Sequence, residues 1–208
     1  MLLPIKQLAE IGFKERETEK VSAFVSVVSP IFQSHLGSLD EVIDLCSGNG
    51  LSSFAFLFNR LANSSKMYDT RRTKKFDRLT KLFEQHGLVY MFQQQDITAL
   101  LDLQTTHSGK RAIISIHPCS ELGDKVISIG LKYQIPFALM TCCHKRIEQA
   151  FHYKLRNPPD PRLMLYNERA DYFDLARQRY IEEQGWTCYW EEIPKEITIK
   201  NHILIAIK

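Results

Sequence analysis

The chain has no long apolar run, few glycines and prolines, and no even set of cysteines. None of its hydrophobic stretches approaches the roughly 18 residues that a membrane-spanning helix needs, so a helical membrane protein is excluded. The five cysteines among 208 residues are an odd count scattered through apolar segments, with Cys142 and Cys143 adjacent. That usage fits reduced thiols better than a disulfide framework. Nine glycines and eight prolines rule out collagen-like and low-complexity chains. Charge of one sign is scarce as well: 27 Lys and Arg against 24 Asp and Glu leave +3, which neither demands nor excludes a nucleic-acid partner. The opening Met1-Leu2-Leu3-Pro4-Ile5-Lys6 meets charge too early for a signal peptide, so a cytoplasmic location is expected. What is present is 44% hydrophobic and 25% charged residues, a globular composition long enough to bury one substantial core.

Apolar periodicity divides the chain into a short N-terminal helical extension, 1–38, and a domain, 39–208. Val21, Phe24, Val25 and Val28 draw one stripe along a helix that Ser29-Pro30 follows, and Gly37-Ser38 mark a loop. Glu41 to Cys46 reads as a buried strand, Leu51 to Phe58 as a helix, and Lys66 to Asp69 as a short second strand. A helix carrying Phe76, Leu79 and Phe83 stops at Gly87. Leu88 to Gln93, Ala112 to Ile116 and Pro136 to Thr141 are further strands, with a helix from Leu122 to Tyr133. Strands joined by helix-length crossovers predict a parallel sheet with helices on both faces, an α/β fold of Rossmann-like kind. The end differs: a helix from Tyr172 to Gln184 precedes two strands, Thr187 to Ile193 and His202 to Ile207, spaced for an antiparallel hairpin. Asn157-Pro158-Pro159-Asp160-Pro161 sits in an insertion around 147–168.

Ligands of such sheets bind at the carboxyl ends of the strands. The first strand ends Asp44-Leu45-Cys46-Ser47-Gly48-Asn49-Gly50, where glycines permit close backbone approach and the next helix offers unpaired N–H groups. Asp44, four positions before Gly48, suits a ligand bearing an amino group. Asp69 ends the second strand, 19 positions after Gly50, where a carboxylate can accept from both hydroxyls of a ribose. Asp96 and Ile97 follow the third strand, in place for an adenine. The quieter reading makes the three aspartates capping and turn residues.

The combination resembles a class I S-adenosylmethionine-dependent methyltransferase, and the resemblance implies a seven-stranded sheet ending in an antiparallel hairpin, with S-adenosylmethionine as cofactor. Asp44, Cys46, Ser47, Gly48, Asn49, Gly50, Asp69, Asp96, Ile97 and His117 would then hold it. Cys46 stands where that family usually has its first glycine. His117, Cys119 and Asp124 after the fourth strand, with Cys142, Cys143 and His144 after the fifth, are similar to a narrower group that includes tRNA acceptor-stem ribose 2′-O-methyltransferases. Ser120 and Lys145 depart from that group's pattern. On this resemblance His117, Asp124, His144 and Cys119 are the candidate catalytic residues, His117 with Asp124 or His144 orienting or deprotonating the acceptor.

Other readings stay open on the residues alone. A nicotinamide-dependent enzyme would want a glycine where Ser53 stands. A cysteine nucleophile at Cys119 or Cys142, as in RNA cytosine-5 methyltransferases, would want an acid where Ile116 stands. Zinc on Cys119, Cys142, Cys143, His117 and His144 is possible by residue type, but their spacing is not that of a structural site, and no metal is expected. Asn157 to Asp160 is read as a turn. Arg71, Arg72, Lys74 and Lys75, and Lys145, Arg146, Lys154, Arg156 and Arg162 with Tyr153, Tyr166 and Tyr172, form two basic runs suited to RNA, such as tRNA, or to plain solvation. A small-molecule or protein acceptor, and a non-catalytic cofactor-binding module, are the competing functions.

Overall fold

The computed structural model describes residues 3–100, 109–119, 121–142 and 165–208. A short helix α1 (Ile5–Glu10) and a long α2 (Glu15–Leu36) precede β1 (Leu39–Leu45). Then follow α3 (Leu51–Phe58), β2 (Ala62–Asp69), α4 (Lys74–Gln85), β3 (Val89–Gln94), a 3-10 turn (Ile97–Ala99) and β4 (Arg111–Cys119). The chain closes with α5 (Glu121–Tyr133), β5 (Phe137–Cys142), α6 (Tyr166–Glu183), β6 (Thr187–Glu192) and β7 (His202–Ile207). The seven strands form one sheet in the order β3-β2-β1-β4-β5-β7-β6, parallel except for β7, which runs antiparallel to both β5 and β6.

Alternation along the central strands explains the layers. Val42, Ile114, Met140 and Ile205 point to one face, where they pack with α2, α3 and α4. Ile43, Ile113, Leu139 and Leu204 point to the other, against α5 and α6. These central strands are apolar on both faces because both are covered. The order reverses direction between β1 and β4, and a switch point of that kind opens a crevice at the carboxyl edge of the sheet.

Element boundaries depart from the periodicity where polar residues pair. β2 begins at Ala62, not Lys66, because Ser64 and Ser65 align with Glu41 and Val42 of β1, and the Ser64 hydroxyl donates to the Asp40 carbonyl. α2 continues through Pro30 to Leu36 instead of ending there. Proline removes one backbone hydrogen bond, and the buried Phe32 beyond it keeps the helix on the core. α6 starts at Tyr166, inside the span expected to be an insertion; the rest of that span lies largely outside the described residues.

One polar cluster lies under the second face. Arg177 of α6, 1% exposed, donates from Nε to Asp124 at 2.8 Å and from Nη1 to Asp174 at 2.8 Å. Asp174 also accepts from the Thr141 hydroxyl and contacts His202 Nδ1 at 3.1 Å. α6 is thereby fastened through two of its side chains, Arg177 to α5 and Asp174 to β5 and β7. Removing one partner strands a buried charge, so Asp174→Ala is expected to cost about 3–5 kcal/mol in urea unfolding. Burial alone would lower the His202 pKa, but Asp174, Asp171 and Glu192 together raise it above 6.5. Its folded pKa exceeds the unfolded one, so its stabilisation is complete below the unfolded value and fades as pH rises through the folded value. Urea midpoints should therefore decline as pH rises above about 6.5, and His202→Gln should flatten that decline.

Candidate active site

The carboxyl end of β1 turns into α3 through a loop built on positive φ. Cys46, Gly48 and Gly50 have φ of 61°, 56° and 76°. The first of these is the position where the related pattern has glycine, and a thiol-bearing residue there adopts a backbone that side chains disfavour. At Gly50 a Cβ would lie 2.9 Å from the Phe76 ring, whereas at Gly48 a Cβ would meet nothing within 4 Å. Gly50 is thus demanded by packing and Gly48 by conformation, with open space in front of it.

Asp44 holds this turn from behind. It is fully buried, and its Oδ2 accepts from the hydroxyls of Ser52 at 2.5 Å and Ser53 at 2.9 Å. Burial raises its pKa to about 6; the two serines oppose that, and nearby Asp69 adds to it. Asp69 holds the turn from the side, with Oδ2 accepting from the Gly48 N–H at 2.8 Å and Oδ1 from the Arg71 N–H at 3.1 Å. A carboxylate offers about four lone-pair sites, so two remain for a ligand. Asn49 accepts from Thr73, the N-cap of α4.

Two cavities flank the loop, and Cys46 lines both. One, of about 120 Å³, is bounded by Asp69, Thr70, Gln95, Asp96, Ile97 and Leu122. Asp96 there caps the 3-10 turn, its Oδ1 accepting from the Thr98 N–H and hydroxyl, which hold its carboxyl below the usual range. The other, of about 170 Å³, has Ser47, Gly48, Asn49 and His117 in its wall. Of the expected cofactor residues, these cavities bring together Cys46, Ser47, Gly48, Asn49, Asp69, Asp96, Ile97 and His117. Asp44 and Gly50 stand behind the wall.

His117 reaches the larger cavity through a bulge. Ile116 pairs with Met140 but Cys119 with Cys142, so β4 carries one extra residue there, and His117 has φ 58°. Bulges re-aim side chains at sheet edges near sites. The His117 Nδ1 is buried without a hydrogen-bond partner. Burial pushes the His117 pKa down to about 4, Lys20 and Lys200 push the same way, and a hydrogen bond with the Thr141 backbone opposes them. The ring is therefore neutral at physiological pH. Cys119 is exposed, its Sγ 3.3 Å from that of Cys142. Asp124 is engaged by Arg177 in the buried cluster. His144 and Cys143 lie outside the described residues, and among those described no three metal-ligating side chains converge.

Sequence reasoning missed the far wall of this cavity, which α2 and Phe13, two residues before it, supply: Phe13, Glu17, Lys20 and Val21. The signal was present. Glu17 and Lys20 continue the Val21–Phe24–Val28 stripe towards the N-terminus, so charged side chains occupy a register that otherwise faces the core. Glu17 is answered by Lys75 of α4, Nζ to Oε2 at 2.9 Å, and by the Lys14 N–H at 2.9 Å. Burial opposes, but these partners hold its carboxyl below the usual range.

A family model described as a methyltransferase domain matches residues 14–150. No curated protein sequence matches the chain. Among solved structures, an rRNA methylase from Streptococcus thermophilus is similar over 89% of this chain and 96% of its own, with TM-score 0.57 and 13% identity. The methyltransferase domain of bacterial CtHen1 gives TM-score 0.58 and 13% identity over 91% of this chain and 98% of that one. The plantazolicin methyltransferase BpumL, in complex with SAH, gives TM-score 0.54 and 10% identity over 98% of this chain and 90% of its own. At these identities the likeness is one of fold.

The two glycines separate by their surroundings. Gly50→Ala should lose about 1–3 kcal/mol to overpacking against Phe76, beyond its backbone strain. Gly48→Ala should lose only the left-handed penalty of about 1–2 kcal/mol. Equal urea midpoints for the two variants would contradict this packing.

Proposed function

The chain belongs to the methyltransferase-domain family, and we propose that it transfers a methyl group from S-adenosylmethionine to an acceptor presented at His117. One observation carries this reading. Asp44 Oδ1, Ser47 Oγ and His117 Nδ1, buried among the described residues without partners, all lie in or directly behind one cavity wall. Orphaned buried polar atoms are rare and costly, and a polar ligand at that wall answers them. The smaller cavity suits an adenosine: Asp69 has acceptor capacity left for ribose hydroxyls, Asp96 is in place for an exocyclic amine, and Ile97 and Leu122 give apolar flanks.

Bound there, S-adenosylmethionine supplies a methyl carbon activated by its sulfonium, and the protein supplies position and electrostatics. His117, neutral and lining the cavity, orients the acceptor's O–H or N–H so that its lone pair is aligned. With a pKa of about 4 it orients better than it abstracts a proton, so the proton displaced from the acceptor would pass to water. His117→Ala should cut turnover about 100-fold while leaving cofactor affinity nearly intact. Activity should be level around neutrality and decline only as pH falls towards the His117 pKa; an inflection near pH 6.5 that vanishes in His117→Gln would refute the neutral-ring assignment.

RNA is the acceptor class we assign. Supporting it are Arg71 and Lys74, exposed in the segment that follows Asp69, and the likeness of His117, Cys119 and Asp124 to the acceptor-stem ribose methyltransferases. Arg72 and Lys75 from the same run are already committed, to Asp77 and Glu17. Calorimetry with S-adenosylmethionine, its demethylated product and a nicotinamide dinucleotide tests the cofactor, and heat from the dinucleotide alone would end this reading. RNA affinity should fall steeply with salt; affinity indifferent to salt would remove the phosphate contacts.

A further inference from the structure

We propose that Lys20 is the specificity residue for the amino-acid end of the cofactor, pairing with its α-carboxylate. The inference rests on the cofactor reading above and adds to it a residue from α2, outside the strand-end motifs. Lys20 lines the larger cavity together with Ser47, Gly48, Asn49 and His117. Among the described residues its ammonium makes no hydrogen bond or ion pair, although it is only partly exposed. The neighbouring Glu17 makes its hydrogen bonds with Lys75 through both oxygens, and none with Lys20. Burial lowers the Lys20 pKa, Glu17 and Cys142 oppose that, and Arg16 and Lys200 add to it. An anion delivered into the cavity would relieve this unpaired cation.

The rest of the wall says which anion. Ser47 Oγ and Asp44 Oδ1 are polar atoms without partners, and the Asp44 carboxylate behind the loop favours a cationic donor. A cation on α2 in the cavity wall and a carboxylate on β1 bonded to Ser52 of that wall match the two ends of a zwitterion. An isolated phosphate would satisfy Lys20 and leave Asp44 opposed. The methionine portion of S-adenosylmethionine carries both an ammonium and a carboxylate, so Lys20 discriminates the intact cofactor from analogues without the acid group.

The test is calorimetry on the full chain with S-adenosylmethionine, its decarboxylated form and methylthioadenosine, which lacks the amino-acid end altogether. Lys20→Met, which keeps the aliphatic stem, should weaken S-adenosylmethionine about 10- to 100-fold, the scale of a charge-assisted hydrogen bond. The variant should bind the decarboxylated form and methylthioadenosine as the native protein does, and Lys20→Arg should recover most of the lost affinity. If Lys20→Met keeps the native preference for the acid-bearing compound, the assignment of Lys20 is wrong while the cofactor reading survives. Loss of RNA affinity alone would make Lys20 a phosphate contact and overturn the proposal in that direction. A native protein that binds none of the three compounds would remove the cofactor reading itself, and this inference with it.

Discussion

The architecture of the site depends on a buried carboxylate. Asp44 has no exposed surface and spends one oxygen on two serine hydroxyls at the start of α3. Leaving a carboxyl in an apolar sheet is expensive, and only those hydrogen bonds make it tolerable. They fix the angle at which α3 leaves β1, and with it the path of Cys46 to Gly50. The Gly48 N–H then meets Asp69, and Ser65 joins through Ser53, so β1, β2 and α3 share one polar seam. The unsatisfied Oδ1 is what this seam leaves over, and it sits where ligand chemistry would use it.

The opposite wall follows a different logic. α2 contributes an apolar stripe to the core, and the same stripe, extended towards its N-terminus, carries charges over the cavity. The Glu17–Lys75 pair, with Lys75 also lying 4.8 Å from the Phe13 ring centroid, fastens that end of α2 to α4. Lys75 therefore belongs to the construction of the cavity. A stretch of basic residues that looks like a solvated or nucleic-acid-facing surface is partly internal scaffolding, and its surface charge is smaller than the residue count suggests.

Most of the sheet was legible because both faces are covered, and buried parallel strands announce themselves as apolar runs such as Ala112 to Ile116. Legibility failed where polar groups do the pairing. Ser64 and Ser65 extend β2 through hydrogen bonds that hydropathy does not register, and Pro30 reads as a stop although Phe32 holds the helix beyond it. At the site, the strand-end aspartates and the glycine turn were visible in spacing. The bulge that turns His117 was not, since it depends on the relative register of β4 and β5. Nor was the engagement of Asp124 by Arg177, a contact between residues 53 positions apart that a local pattern does not encode.

The seating of α2 has a kinetic consequence. Phe24, Val25, Val28 and Phe32 are buried in the same cluster as the sheet, so lifting the helix off the larger cavity would uncover core side chains. At about 25 cal/mol per Å² of apolar surface, such an excursion is a partial unfolding event and not a breathing motion. Molecules then pass the rim without α2 lifting, and the contacts they make there govern their residence times.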